Sequence, residues 1–579
     1  LEGSRPDLMS LGFEDPAAYQ ILKDANTTAI FQVESDGMKK LLKKLAPDRF
    51  EDIIAVLALY RPGPLGSGMV DDFILRKKGQ QEIDYFHPDL KACLEPTYGV
   101  IVYQEQVMQI SQIIGGYTLG GADMLRRAMG KKKADEMAKH RATIAEGAKH
   151  KGYDPALAEQ LFDLMTKFAE YGFNKSHTAA YAVVTYHTAW LKAHHCAAFM
   201  AATLSSEMDL TDTVKIFHDD AIANGLRILG PDVNASEFRF IPVDRQTVRY
   251  GLGAVKGTGE QAVTAIIRAR TANGPFKDLF DFCQRVDKRL VNRRTIEALI
   301  RAGAFDALDS HRARLLASVG IAIDAAEQAE RNAMQVSLFD LLDDAGDAAG
   351  GQGPQYVEAP RWDERQQLNE EKLALGFYFS GHPFRAVQGE IAHFVRRPLA
   401  ALEARKESQL LAGLVVAVRS KITARGKMAF IQLDDGSTSL EVSVFSELLD
   451  SERAKIREDE VLVVEGRIQR DDFAGEGRVK VVAERLLTLA EARGRFARQL
   501  HLSLNGHAGG SNARHAVQRL RSLLAPYTPG ECPIRLSYHN AEARCELVLG
   551  DSSRVRLEDG LLQALRDWLS SDNVRVDYA

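Results

Sequence analysis

With 579 residues, the chain is too long for one hydrophobic core, and several domains of roughly 100 to 200 residues each are expected. The composition, 45% hydrophobic and 26% charged, excludes a disordered or fibrous chain and is typical of folded globular domains. A formal net charge of -5 excludes a uniformly basic surface, so any surface for nucleic acid must be local.

The first part of the chain, from Pro16 to about Met208, has apolar residues at helical spacing and predicts a helical region. Within it, the segment Arg61–Gly68 contains two prolines and three glycines, which exclude a continuing helix. We expect a loop of defined shape at this point.

A small separate module is predicted after the helical region. Short β-type runs occur at Ile228–Asn234 and Phe238–Tyr250, and glycine-rich turns and helices follow to about Ser318. The segment Asp340–Pro360 is rich in Asp, Ala and Gly and has little periodicity, which predicts a flexible linker.

Alternating apolar residues return in the last third of the chain. Five runs of this kind predict a small barrel of the OB type, and they are Gly413–Ser420, Met428–Leu433, Leu440–Phe445, Val461–Ile468 and Arg478–Ala483. A helix-like insert is expected at Glu447–Ile456. The stretch Gln499–Ala579 combines two strand-like runs with helices at Ala513–Leu524 and Gly560–Leu569, which predicts an independent α+β domain.

The first candidate site is a group of cations at a predicted helix end. Arg126, Arg127 and Lys131 lie around the helix-breaking Gly130, and Arg and Lys side chains suit phosphate oxygens. If the helix persists, Arg127 and Lys131 share a face and could hold one polyanion. The alternative is an ordinary charged surface exposed to solvent.

The second candidate is the segment Tyr171–Tyr181, a glycine-containing turn that leads into a long helix. A helix N-terminus attracts anions, and with Lys175 it could hold a phosphate. Asn174 and His177 add hydrogen-bonding groups in the first turn. The alternative is that Asn174 or Ser176 only caps the helix.

Four segments, taken together, resemble the fingers of family C, the replicative DNA polymerases of bacteria. They agree in order and spacing across the first third of the chain, and they are Arg61–Gly68, Tyr98–Gln106, Gly115–Lys133 and Tyr171–Tyr181. Motifs of this length are far more specific than a single glycine pattern.

This resemblance implies a side of the active site that receives the incoming deoxynucleoside triphosphate. The residues implied to neutralise its charge are Arg126, Arg127, Lys131, Asn174, Lys175 and His177. In the family the catalytic aspartates lie in a palm that precedes the fingers, and this sequence contains no Asp-X-Asp pair. We therefore assign it no catalytic and no metal-binding residue, and expect the Mg²⁺ ions to be held by the palm of a longer DNA-directed DNA polymerase. The chain is expected to be a piece of that enzyme and to be inactive alone.

A third cluster resembles a helix-hairpin-helix motif. Lys256, Gly257, Thr258 and Gly259 precede an apolar helix, so backbone N–H groups there could bind a phosphate of DNA without reading bases. Thr258 departs from the usual apolar residue inside such a hairpin. A second, degenerate hairpin is predicted around Arg293 and Arg294, and both are expected to contact primer-template DNA.

A fourth motif, Gln335–Phe339, resembles the segment by which these polymerases bind the sliding clamp, the β subunit. Leu338 and Phe339 would enter an apolar pocket, where burial of each contributes roughly 1.5 to 3 kcal/mol. Gln335 and Ser337 complete the motif, and Gln335 would supply orienting hydrogen bonds. The alternative is a helix end that packs into the local core.

The predicted barrel carries cations and aromatic residues that suit single-stranded template DNA. The cations are Lys421, Arg425, Lys427, Arg467 and Arg470, and the candidates for base stacking are Phe430, Phe445 and Phe473. Each aromatic residue has the alternative of filling the barrel. The C-terminal region resembles the part of the family that binds the τ subunit of the clamp loader.

Metal, disulfide and membrane chemistry are not indicated by the sequence. The five cysteines lack C-x-x-C spacing, which predicts reduced thiols and neither a zinc site nor a disulfide framework. No stretch reaches the ~20 consecutive apolar residues of a membrane-spanning helix. We therefore predict a cytoplasmic protein that does not contact a membrane.

The predicted fold class is multidomain, mainly α in the fingers and helix-hairpin-helix parts, followed by an all-β OB-fold barrel and a small α+β domain. The predicted parts are the fingers (1–215), the helix-hairpin-helix module (216–334), the clamp motif and linker (335–362), a helical connector (363–408), the OB-fold (409–490) and the τ-binding-like domain (491–579). Two other functions stay open: a non-enzymatic DNA-binding adaptor, and an error-prone polymerase of family C.

Overall fold

The structure is a computed structural model. It describes residues 5–131, 134–168, 172–339, 355–423, 426–470, 479–505, 513–539 and 544–578. The chain forms two compact units, Leu1–Arg361 with Glu370–Phe377, and Trp362–Asn369 with Tyr378–Ala579. Each is built around its own buried apolar residues, in keeping with the length of the chain.

The first unit begins with a helical region, as predicted. Its helices are α1 (Pro16–Lys23), α2 (Asp36–Leu45), α3 (Phe50–Leu59), α4 (Pro62–Gly66), α5 (Met69–Lys77), α6 (Lys91–Leu94), α7 (Gln104–Gly115), α8 (Leu119–Lys131), α9 (Ala134–Lys151), α10 (Pro155–Phe168), α11 (Lys175–His194), α12 (Cys196–Ser206) and α13 (Thr211–Ala223). The expectation for Arg61–Gly68 is only partly right. The helix before it does end at Leu59, but Pro62 starts the short helix α4, because proline fits the first position of a helix.

The module after α13 contains a three-stranded sheet and four helices. Its elements are β1 (Arg227–Leu229), β2 (Ile241–Pro242), β3 (Thr247–Arg249), α14 (Glu260–Asn273), α15 (Leu279–Arg285), α16 (Arg293–Arg301) and α17 (Arg312–Phe339). Strand β3 lies in the centre, parallel to β1 and antiparallel to β2. The helix α18 (Glu364–Leu375) follows, and its residues are divided between the two units.

The second unit contains the predicted barrel, which is closed. After α19 (Arg385–Ile391), its elements are β4 (Gln409–Thr423), β5 (Gly426–Asp434), β6 (Ser439–Val444), α20 (Ser446–Glu452), β7 (Val461–Arg470) and β8 (Val479–Thr488). The strand order around the barrel is β4-β5-β6-β8-β7, and only the pair of β6 and β8 is parallel. Alternating side chains such as Ile431, Val442 and Val464 fill the interior, which is why the period-two pattern was visible in the sequence.

The described residues of the last domain form four strands, where the sequence predicted two. Its elements are α21 (Leu489–Phe496), β9 (Ala497–Asn505), α22 (Ala513–Leu524), β10 (Ile534–His539), β11 (Arg544–Val548), α23 (Asp559–Leu569) and β12 (Val574–Tyr578). The sheet order is β11-β10-β9-β12. All five residues of β11 are exposed. This strand therefore lacks the alternation of buried and exposed residues from which a strand is predicted. The predicted fold class is confirmed, whereas the six-part division stays a prediction.

Candidate nucleic-acid interface

The start of α7 is the point at which two of the predicted phosphate-binding segments meet. Tyr103 is buried and forms a bridge with Phe173, which joins the two backbone segments. Gln106 fixes the turn, because its Oε1 accepts the N–H groups of Val102 and Tyr103 at 2.8 and 2.9 Å. Burial raises the pKa of Tyr103, which stays protonated in this core.

The N-terminus of α11 already holds an anion of the chain itself. The N–H of Lys175 donates to both oxygens of Glu105, each at 3.0 Å, and Asn174 Nδ2 donates to one of them at 3.0 Å. Asn174 Oδ1 also accepts the N–H of His177 at 2.9 Å, so the capping role that the sequence left open is present. The Lys175 ammonium lies 5.5 Å from the centre of the Tyr103 ring.

The two arginines of α8 are held by one carboxylate. Asp123 lies 2.8 Å from Arg126 and 2.8 Å from Arg127, and the hydrogen bond from Arg126 lowers the pKa of that carboxyl. Arg126 Nη1 also donates to Gln104 Oε1 at 3.0 Å. The side chain of Lys131 lies outside the described residues.

Gln104 and Glu105 therefore connect Arg126 with the first turn of α11. Gln104 binds Arg126 on one side and donates to the carbonyl of Gly172 at 3.1 Å on the other, while its neighbour Glu105 binds Lys175. We call Arg126, Gln104, Glu105, Asn174 and Lys175 the fingers cluster. Gln104 and Glu105 lie in the segment Tyr98–Gln106, but no role for either residue is predicted from the sequence.

The first hairpin presents an exposed backbone at the start of α14. Lys256, Gly257 and Gly259 are exposed, and Gly257 has a positive φ of 84° that favours glycine. Thr258 is buried, and its hydroxyl donates to the carbonyls of Leu252 at 2.5 Å and Val255 at 2.6 Å. A hydroxyl is thus accommodated where an apolar residue is usual, because both of its contacts lie within the turn.

The second hairpin lies directly against the first. Asn292 caps α16 by accepting the N–H of Thr295 at 3.0 Å, and the Thr295 hydroxyl donates to the carbonyl of Gly257 at 3.3 Å. The turn at Gly257, just before α14, and the first turn of α16 are therefore neighbours. Arg294 is exposed next to them, and Arg293 pairs with Glu297 at 2.7 Å.

The outer face of the barrel carries both exposed and paired members of the predicted set. Phe445 is 51% exposed and Phe430 is partly buried on the same outer side of β5 and β6, so neither fills the barrel. Lys421, Lys427 and Arg470 are exposed, whereas Arg467 pairs with Glu484 at 2.5 Å. Arg425 and Phe473 lie outside the described residues.

The predicted clamp motif lies at the end of α17. Gln335, Ser337, Leu338 and Phe339 belong to the end of α17, but their side chains lie outside the described residues.

Within the described ranges, no group of three or more His, Cys, Asp or Glu side chains could hold a metal ion. In the same part of the chain, no helix is long and apolar enough to cross a membrane.

Comparisons with protein families match four segments of the chain. They are the bacterial DNA polymerase III alpha subunit finger domain (residues 2–152), a helix-hairpin-helix motif (225–315), an OB-fold nucleic acid binding domain (410–489) and the DNA polymerase III subunit alpha C-terminal domain (519–569). Together the four matches lie between residues 2 and 569 and include parts of both compact units.

Similar proteins are DNA polymerase III alpha subunits. The chain is 47% identical over 580 residues to that of Neisseria meningitidis serogroup A strain Z2491, covering 100% of this chain and 49% of the relative. It is 47% identical to the subunit of Pseudomonas aeruginosa, covering 98% and 49%, and 44% identical to that of Escherichia coli K12, covering 99% and 50%. The chain spans about half the length of the curated relatives it matches.

Proposed function

Because the chain belongs to the family of bacterial DNA polymerase III α subunits, we propose that it is the part of a replicative DNA-directed DNA polymerase that binds primer-template DNA and the incoming deoxynucleoside triphosphate. The parent reaction is attack of a primer 3′-hydroxyl on the α-phosphate, with release of pyrophosphate. The replicative polymerase is preferred to an error-prone one because the Gln335–Phe339 segment, the OB-fold and the long C-terminal region accompany the fingers.

The fingers cluster is the observation that carries this proposal. It joins Arg126 and the first turn of α11, which lie far apart in the sequence, through Gln104 and Glu105. Such an arrangement brings a guanidinium and a helix N-terminus into one region, where triphosphate oxygens would bind beside Glu105 or replace it. Arg127, Lys131 and His177 belong to the same two segments and are proposed to contribute to the same site.

Magnesium ions are not assigned to this chain. Two-metal phosphoryl transfer needs several carboxylates around each ion, and the described residues contain no such group. We propose that the Mg²⁺ ligands lie in the half of the relatives' length that this chain does not span. The roles of this chain are then positioning and charge neutralisation, without a catalytic carboxylate.

DNA is proposed to contact the hairpins and the barrel in different ways. The exposed turns at Gly257, Gly259 and Arg294 suit phosphates of the duplex, which need no base reading. Phe445 and Lys421 on the outer face of the barrel suit single-stranded template, because aromatic rings stack bases and lysines neutralise phosphates.

Tethering is the third part of the proposal. Gln335, Ser337, Leu338 and Phe339 are proposed to bind the sliding clamp, and residues 491–579 to bind the τ subunit. To test the first of these, the clamp affinity of the chain and of the double variant Leu338→Ala, Phe339→Ala is measured by surface plasmon resonance. The variant should lose at least tenfold in clamp affinity, since two apolar side chains leave the pocket. The control Leu210→Ala, an exposed apolar residue elsewhere, should bind the clamp normally.

Nucleotide binding is tested in the polymerase that contains this chain. Arg126→Ala should raise the KM for deoxynucleotides at least tenfold, while binding of primed DNA stays within twofold. Arg5→Ala, a change to an exposed arginine near the start of the chain, is the control. If Arg126→Ala leaves the KM for deoxynucleotides unchanged, the proposed nucleotide-binding role of Arg126 is wrong.

A further inference from the structure

A continuous row of aromatic side chains runs along one face of α11 from the fingers cluster. The ring centres of Phe173 and His177 are 5.4 Å apart, those of His177 and Tyr181 are 4.4 Å apart, and those of Tyr181 and Phe31 are 5.2 Å apart. His177 and Tyr181 are four residues apart and therefore share a face of the helix. We call Phe173, His177, Tyr181 and Phe31 the aromatic row.

The outer end of the row is open to solvent. Phe31 is 36% exposed and Tyr181 is 37% exposed, and Val184, one helical turn further, is 43% exposed. Exposed aromatic and apolar side chains that lie side by side are unusual on a protein surface unless something binds them.

Phe31 is held rigidly in this position by the backbone. Its N–H donates to the Thr188 hydroxyl at 3.3 Å, and its carbonyl accepts the Thr185 hydroxyl at 3.0 Å. Both threonines belong to α11, so the loop that carries Phe31 is fixed to the same helix as Tyr181. A surface that is ordered before binding loses little entropy when a ligand stacks on it.

The charges around the row favour an anionic partner. The sequence of α11 contains no Asp or Glu, and the row begins at the positive end of that helix. At the inner end the Arg61 guanidinium lies 4.3 Å from the centre of the Phe173 ring. The Glu105 carboxylate lies at this inner end, where it accepts the N–H of Lys175. Aromatic faces next to cations are typical of surfaces that bind single-stranded nucleic acid.

We propose that the aromatic row, extended by Val184, is a stacking surface for unpaired bases of single-stranded DNA. Tyr181 and Phe31 take the bases, while Arg61 and Lys175 lie near the phosphates at the inner end. The row leads away from the site proposed for the incoming nucleotide, so the strand bound there is the unpaired template. The inference rests on the proposed function, because it assigns the row to the same fingers region.

The first test maps where single-stranded DNA lies on the 579-residue chain. An oligodeoxythymidylate of about 10 nucleotides, within the usual site size, carries one 5-iododeoxyuridine and is photocrosslinked to the protein. Mass spectrometry then identifies the crosslinked residues. We expect one crosslink in the aromatic row, at Tyr181, His177 or Phe31, and another on the barrel near Phe445.

Variants separate stacking from structural damage. Tyr181→Leu and Phe31→Leu should each lower the crosslink yield at the row about tenfold, because base stacking on an aromatic ring is lost. Tyr181→Phe keeps the ring and should retain the yield. An abasic oligonucleotide of equal length and charge should bind wild type and Tyr181→Leu equally well.

Each outcome decides something different. Crosslinks on the barrel alone overturn the stacking surface and leave the proposed DNA-binding function in place. A yield that falls equally with Tyr181→Phe and Tyr181→Leu also overturns it, since the ring would not matter. If the chain binds neither single-stranded nor primed DNA, the proposed function fails as well.

Discussion

Glu105 accepts the backbone N–H of Lys175 through both of its carboxylate oxygens, each 3.0 Å from the nitrogen. The contact joins the first turn of α7 to the first turn of α11, where the unsatisfied N–H groups attract negative charge. A carboxylate of the chain thereby occupies the place that the sequence predicted for a phosphate. Any nucleotide phosphate must bind beside Glu105 or replace it.

Replacing Glu105 should loosen the start of α11. Glu105→Ala removes the acceptor of the Lys175 N–H and one partner of Asn174, which we expect to cost about 1 kcal/mol locally. Hydrogen–deuterium exchange of the amides of residues 175–178 should accelerate about fivefold, because opening becomes easier by that amount. Glu159→Ala, at an exposed position on α10, is the control and should leave these amides unchanged. Unchanged exchange in Glu105→Ala would show that Asn174 alone holds the turn.

Local chemistry explains what the sequence predicted in this cluster and what it did not. The cap formed by Asn174 involves a residue three positions away, so the turn Tyr171–Tyr181 was sufficient to predict a helix start. The partner Glu105 lies 70 residues away, and only the folded chain brings it to Lys175. Gln104 was missed because its partners, Arg126 and Gly172, are also far away in the sequence, and because a single polar side chain gives no periodic signal.

The barrel and the last sheet also differ in how well the sequence pattern predicts their strands. Strands β4 to β8 alternate buried and exposed residues along much of their length, and the period-two pattern predicted all five. All five residues of β11 are exposed, so it gave no clear pattern, whereas Val574, Val576 and Tyr578 of β12 alternate with charged residues over only five positions. Strand β11 pairs with the preceding strand β10, whereas β12 pairs with β9, about 70 residues earlier in the chain.

The two glycines of the first hairpin should respond differently to the same methyl group. Gly257 has a φ of 84°, so Gly257→Ala introduces strain of about 1 kcal/mol. Gly259 has a φ of -80° and no atom within 4 Å of an added Cβ, so Gly259→Ala is free of strain. Both methyl groups would keep a DNA phosphate from the backbone, and we expect duplex affinity to fall about fivefold in each.

Fluorescence anisotropy with a labelled duplex measures that affinity, and hydrogen exchange of α14 reports the strain. Gly494→Ala, which also adds a methyl group in open space, lies in the second unit and should change neither. Normal duplex binding by Gly259→Ala would contradict contact between this turn and DNA. Reduced binding by Gly257→Ala alone would point to strain as its cause.

Thr258 should be replaceable by serine but not by valine. Thr258→Val removes the donor to the carbonyls of Leu252 and Val255 inside a buried turn, at a cost of about 1 kcal/mol. Thr258→Ser keeps the hydroxyl and should preserve the turn. Exchange rates of the Gly257 and Gly259 amides distinguish the two variants, with faster exchange expected for valine only. Faster exchange in Thr258→Ser than in Thr258→Val would mean that the methyl group of Thr258, and not its hydroxyl, stabilises the hairpin.

A buried arginine connects three elements of the second unit. Arg493 on α21 is almost fully buried and pairs with Glu390 at 2.7 Å and with Asp559 at 2.5 Å. The Tyr578 hydroxyl of β12 donates to the same Glu390 carboxylate. Burial alone would raise the pKa of Glu390, but the hydrogen bond and charge of Arg493 outweigh it and lower the pKa below its usual value.

Acid should therefore release strand β12 through Glu390. A carboxyl whose pKa is lower in the folded state stabilises the fold above its ordinary pKa of 4.5, and the contribution disappears as the pH falls through the folded value. Glu390→Gln should lower the stability of β12 by about 2 kcal/mol at neutral pH, because Arg493 loses its charged partner while Asp559 remains. The protection of the β12 amides from exchange, corrected for their intrinsic exchange rates, should thus differ between wild type and Glu390→Gln at pH 7. The two should converge below pH 4.5.

Glu407→Gln, at an exposed position of the same unit, should follow the wild type throughout. A difference between wild type and Glu390→Gln that does not change with pH would show that shape, and not charge, accounts for the role of Glu390.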